Sequence, residues 1–131
     1  MEEKYVKSEK LANSLALEIY DQSRQVAGDR WLVALTVRVR VPVEGGFFRE
    51  GGQTSVDIDA IRKALGDHVV FEQKRERHFV DENDKDTVWN DLYERFTAGT
   101  GNYIAHPEFP MKFIVKQYKE YLAKQARYGT I

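Results

Sequence analysis

Residues 31–43 read WLVALTVRVRVPV. Trp31, Val33, Leu35, Val37, Val39, Val41 and Val43 share one parity, and Leu32, Ala34, Thr36, Arg38, Arg40 and Pro42 share the other. Side chains alternate across a strand, so this period-two pattern predicts one long β-strand with one apolar face. Pro42 has no amide hydrogen and belongs near the strand end or on an unpaired side. An apolar sheet face must be covered by a second layer, so the neighbouring segments have to supply one.

Upstream, Leu15, Leu17 and Ile19 of LALEIYDQS alternate as in a strand, whereas Leu11, Leu15 and Ile19 also fit a helical face. The strand is preferred because Ala27, Gly28 and Asp29 offer a turn straight into residues 31–43, which makes a hairpin. Odd-to-odd pairing sets Ile19 near Leu35 and Leu17 near Val37, with Glu18 diagonal to Arg38 on the outer face.

Downstream, SVDIDAIRKALGDH reads as a short amphipathic helix. Ile58, Ile61 and Leu65 share a face, Ser55 or Asp57 can cap its start, and Gly66 suits its exit. HVVFEQKRERHFV (68–80) begins with β-formers and continues with polar residues. A strand at a sheet edge or running beyond the core is expected there, with a helix as the alternative. The acidic DENDKD precedes a helix starting at Asp84 or Asp86, with Val88, Trp89, Leu92, Tyr93 and Phe96 on its apolar face. AGTGNYIAHPEFP breaks the chain. A last helix follows from Pro107 or Pro110 to about Arg127, with Met111, Ile114, Tyr118, Tyr121 and Leu122 inward. The expected fold is one α+β domain over residues 1–131: a two-layer sandwich with a small, mainly antiparallel sheet in β-β-α-β-α-α order.

With 20 basic and 21 acidic residues the chain carries a net charge of −1, so no overall field attracts nucleic acid or an acidic membrane. Cysteine is absent, which removes disulfides, thiolate ligands and a cysteine nucleophile, and fits a cytoplasmic setting. The first ten residues are charged throughout, and no run reaches the roughly 18 apolar residues that cross a bilayer.

Tests for known chemistry are negative. From Asp81, a calcium-loop register puts Lys85 at a ligand position and Leu92 where the bidentate glutamate belongs, so DENDKD reads as a helix start. His68, His78 and His106 have no metal-ligand spacing. AGTGN at 98–102 has two glycines of the dinucleotide fingerprint and follows a helix rather than a strand. DQSRQVAG at 21–28 resembles the DxSxxG signature of PilZ domains, which bind a cyclic dinucleotide. Here the glycine stands two positions late and no RxxxR precedes it, so the ligand's phosphates lack partners and the family is not assigned.

Three candidate surfaces remain. EGGFFREGGQT (44–54) holds Phe47, Phe48, Arg49 and Glu50 between glycine pairs, an apolar segment able to close the domain, to meet a second copy of the chain, or to cover a cleft. Trp89, Tyr93, Phe96, Tyr103, Phe109 and Phe113 gather around the last helix break, as a core layer or as a pocket with Tyr103 and His106 at its mouth. Arg38, Arg40, Lys74, Arg75 and Arg77, with His78, offer cations for phosphate contacts, although Glu72 and Glu76 interleave with them. The leading expectation is a non-enzymatic interaction module without cofactor, a homodimer through the 44–54 loop being one form of it. A small-ligand-binding protein or enzyme at Tyr103 and His106 comes second, and RNA binding third.

Overall fold

The computed structural model describes residues 4–45 and 57–128. Its strands are β1 (Lys4–Lys10), β2 (Ala16–Asp21), β3 (Arg24–Ala27), β4 (Arg30–Pro42) and β5 (His68–Asp81). Its helices are α1 (Ile58–Leu65), α2 (Lys85–Gly99), α3 (Gly101–Ala105) and α4 (Phe109–Tyr128), with one 3-10 turn at Glu82–Asp84. The fold is α+β with a small antiparallel sheet, the expected class. Strands β1 and β3, helix α3 and the 3-10 turn add to the expected order. The chain divides into two compact units: residues up to Val39 with Glu72–Ala105, and Arg40–Phe71 with the residues from His106 onward.

In the first unit β2 and β3 both pair antiparallel with β4, in one register from Leu17 to Gln25 interrupted at Gln22 and Ser23, with a shift between Gln25 and Ala27 beside the turn. Even there Gln22 N–H donates to the Ala34 carbonyl at 3.0 Å. The two segments are therefore one arm of a hairpin whose turn is Gly28–Asp29. Leu17 faces Val39 and Ile19 faces Val37, two residues along from the expected pairing. The parity is as expected and the register is not. The chain reverses one residue later than that pairing requires, and moving the reversal by one residue slides every partner by two. Glu18 consequently lies directly opposite Arg38, not diagonal to it.

Val33, Leu35, Val37 and Val39 are fully buried, with Leu17, Ile19, Leu92, Phe96 and Ile104. Each such side chain contributes about 1.5–3 kcal/mol by leaving water. The opposite face of β4 departs from expectation, because Leu32, Ala34 and Thr36 are buried as well. Thr36 donates its hydroxyl to Gln22 Oε1 at 2.7 Å, and the Arg38 guanidinium lies 4.8 Å over the Tyr20 ring. Long neighbouring side chains thus cover the short ones. β1 pairs with β2 at the sheet edge, almost wholly exposed. Lys4, Lys7 and Lys10 keep that edge from recruiting other chains. Asn13 donates to the Ile104 carbonyl at 2.7 Å and ties the turn after β1 to α3.

β5 also pairs with β4. Its polar residues from Lys74 to His78 are exposed, as suits an edge strand. The Asp81 side chain accepts from Asn83 N–H and starts the 3-10 turn, whereas Asp84 stands at the start of α2 without a side-chain cap bond. The acidic run therefore initiates helix one step earlier than expected.

In the second unit Asp57 caps α1 by accepting from Asp59 and Ala60 N–H, and Gly66 ends the helix at φ +87°. Arg62 donates to the Val43 carbonyl through Nε and Nη2, at 3.2 and 2.7 Å, and pins α1 to the chain after β4. Phe71 packs edge-to-face on Phe109 and Phe113 of α4, with centroids 5.6 and 5.7 Å apart. Ile114 is fully buried, whereas Leu122, expected to face inward, is exposed. No helix of the described residues is long and apolar enough to cross a membrane.

Candidate functional site, a tryptophan pocket in the first unit

Asp21 and Ser23 end the β2 arm two residues apart, and Trp31 begins the apolar series of β4. All three share the odd-numbered face. Helix α2 lies on that face, and its first turns present Lys85, Asp86, Trp89 and Asn90. Lys85 and Trp89 are four residues apart and so project from one side of the helix. These seven residues line a pocket of about 270 Å³.

The Lys85 ammonium stands 3.9 Å from the centroid of the Trp31 ring. Both indole N–H groups, Trp31 Nε1 and Trp89 Nε1, are buried without a hydrogen-bond acceptor among the described residues. Leaving a buried donor unsatisfied costs about 1–3 kcal/mol. Two such donors, on two residues that line one pocket, are unusual in a native fold. Asp21 Oδ1 accepts from Ser23 N–H at 2.8 Å, and Ser23 Oγ accepts from Ala34 N–H at 3.0 Å, which fixes that wall.

Behind Trp89 the aromatic wall continues. Trp89 and Tyr93 stack with ring centroids 6.0 Å apart. The Tyr93 hydroxyl donates to Glu9 Oε1, and Lys7 reaches both the Glu9 carboxylate, at 3.0 Å, and the Tyr93 ring, at 4.7 Å. The Tyr93 hydroxyl holds Glu9 below the usual carboxylate range, against a smaller opposing effect of burial. Burial, then the bond to Glu9, raises Tyr93; the bond to Glu9, then that to Tyr93, raises Lys7.

Comparison with protein-family models, curated proteins and solved structures gives no match.

The residues singled out in the sequence fall elsewhere. Phe47, Phe48, Arg49 and Glu50 lie outside the described residues. Tyr103 is half exposed on α3 in the first unit. His106 belongs to the second unit, where its Nδ1 accepts from Glu108 N–H at 3.0 Å and shapes the start of α4. Of the expected aromatic cluster, Trp89, Tyr93, Phe96 and Tyr103 belong to the first unit and Phe109 and Phe113 to the second. Arg38 is bound to Glu72 at 2.6 Å, and Arg40 belongs to the second unit, whereas Lys74, Arg75 and Arg77 belong to the first. Those last three share a cleft with Arg95 of α2.

In the sequence, Trp31 and Trp89 stand out only as apolar positions. The available signal was that a tryptophan brings a donor which needs a partner when buried. The spacing of Lys85 and Trp89 on one helical side was also legible.

Proposed function

We propose that this chain is a small-molecule-binding protein whose ligand occupies the tryptophan pocket of the first unit. The reading keeps the small-ligand class named from the sequence and moves the site from Tyr103 and His106 to Trp31, Lys85 and Trp89. One observation carries it: Trp31 and Trp89, whose buried indole N–H groups lack an acceptor among the described residues, both line this pocket.

The lining chemistry selects the ligand. Lys85 offers an ammonium donor, while Asp21, whose Oδ1 already accepts from Ser23 N–H, and Asp86 offer carboxylate acceptors. A simple anion meets the carboxylates, and a simple cation meets the Lys85 ammonium. A molecule with both charges satisfies both groups, so an amino-acid-sized zwitterion is the best fit. The volume lies just below the usual 300–1,000 Å³ of ligand pockets, which suits one small molecule.

Trp31 and Trp89 are the only tryptophans in the chain, so selectively excited tryptophan fluorescence reports on two residues that line this pocket. Titration with free amino acids is expected to give a saturable change that disappears when the amino group is acetylated or the carboxylate amidated. A flat response to every free amino acid, with both tryptophans present and the protein folded, ends this reading.

A further inference from the structure

A second site, independent of the tryptophan pocket, lies where β5 passes the end of α2. Lys74, Arg75, Arg77 and Arg95 line one cleft of about 310 Å³ in which Glu76 is the only lining carboxylate. Three guanidiniums and an ammonium are thus drawn together in a chain whose net charge is −1. From these residues we infer that the cleft binds a phosphate-bearing ligand.

Arg75 is held in place. Its Nη2 donates to Gln73 Oε1 at 3.1 Å and to Thr100 Oγ1 at 3.2 Å, and its guanidinium lies 5.9 Å over the buried Phe96 ring. A cation at the C-terminal end of α2 is also favoured by the helix dipole, so Arg75 alone has a purely structural explanation. The other three exceed what one helix end requires. Arg95 is paired through Nε with Asp91 at 2.9 Å on the exposed helix surface. Among the described residues no ion pair engages Lys74 or Arg77. Like charges at this density repel one another, and an anion between them removes that repulsion.

Phosphate is the chemistry that matches. A guanidinium meets it with two parallel N–H bonds, and the Thr100 hydroxyl adds a neutral donor beside them. A rival explanation is that charges on an edge strand only prevent aggregation. That role asks for charge along β5 and not for Arg95 across the cleft.

The probe is inorganic pyrophosphate, followed by backbone-assigned NMR of the full chain at about 50 mM salt. The expected result is saturable shifts confined to residues 74–77 and 95–100. The double variant Arg77→Gln/Arg95→Gln, exposed positions whose loss leaves the fold intact, is expected to weaken binding about tenfold or more. Two further arms separate the sources of the phosphate. A nucleoside triphosphate that binds while a short single-stranded oligonucleotide does not assigns the cleft to free nucleotides. An oligonucleotide displaced by pyrophosphate, with affinity falling steeply toward about 200 mM salt, assigns it to a nucleic-acid backbone. No shifts at millimolar pyrophosphate, or shifts unchanged in the double variant, overturn the inference.

Discussion

The Lys85 ammonium sits over the face of the Trp31 ring, 3.9 Å from its centroid, and joins the first turn of α2 to the start of β4. The contact is electrostatic, because the ring's quadrupole presents a negative face to the cation. Its stem also shields the indole. Lys85→Ala is therefore expected to cost about 0.5–1 kcal/mol of stability. In a Trp89→Phe background, where Trp31 is the sole fluorophore, the same change is expected to raise acrylamide quenching. Quenching left unchanged would show that Lys85 does not cover the ring in solution.

The hairpin turn depends on Gly28, which has φ +54°. A side chain in that left-handed region costs about 1–2 kcal/mol. A Cβ at this position meets nothing within 4 Å, so the cost is purely backbone strain. Gly28→Ala is expected to lower the unfolding free energy by that amount, read as a lower urea midpoint at unchanged slope, and Gly28→Asn to lower it less, since asparagine tolerates this region. Equal losses for the two variants would place the effect elsewhere.

Phe79 is the reverse case. It has φ +54° within β5 while its side chain is 75% exposed. The backbone strain is therefore offset by little burial. Phe79→Asn is expected to stabilise the protein by about 1 kcal/mol, by relieving that strain. A lower melting temperature in this variant would mean that the ring makes stabilising contacts in solution.

The Glu9, Tyr93 and Lys7 network makes stability depend on pH in a definite direction. Glu9 is depressed in the fold, first by the Tyr93 hydroxyl, so its contribution is complete above the ordinary glutamate value and is lost as pH falls through the lower folded one. Tyr93 and Lys7 are raised, so their contributions are complete below their ordinary values and fade as pH climbs through the folded ones. Glu9→Gln is expected to flatten the acid limb of a plot of melting temperature against pH. It also removes the charged acceptor that helps raise Tyr93. An acid limb identical to that of the parent protein would show that Glu9 does not govern it.

What the amino-acid order determined by itself was local. Alternation from Trp31 to Val43 specified β4 and its inward parity, because a strand's two faces are written into consecutive positions. Asp57 and Gly66 announced the ends of α1 for an equally local reason, the needs of unpaired backbone groups at helix termini. β1 could not be read in the same way, since its lysine-rich, exposed residues carry no period and gain their order only from pairing with β2. The tertiary structure decided which residues separated in sequence meet. A single-residue change in the hairpin reversal set Ile19 against Val37, and the docking of α2 on the odd-numbered face brought Trp89 to Trp31 and Arg95 to Arg77. Such meetings depend on the summed packing of the whole unit, and no short stretch of sequence contains that sum.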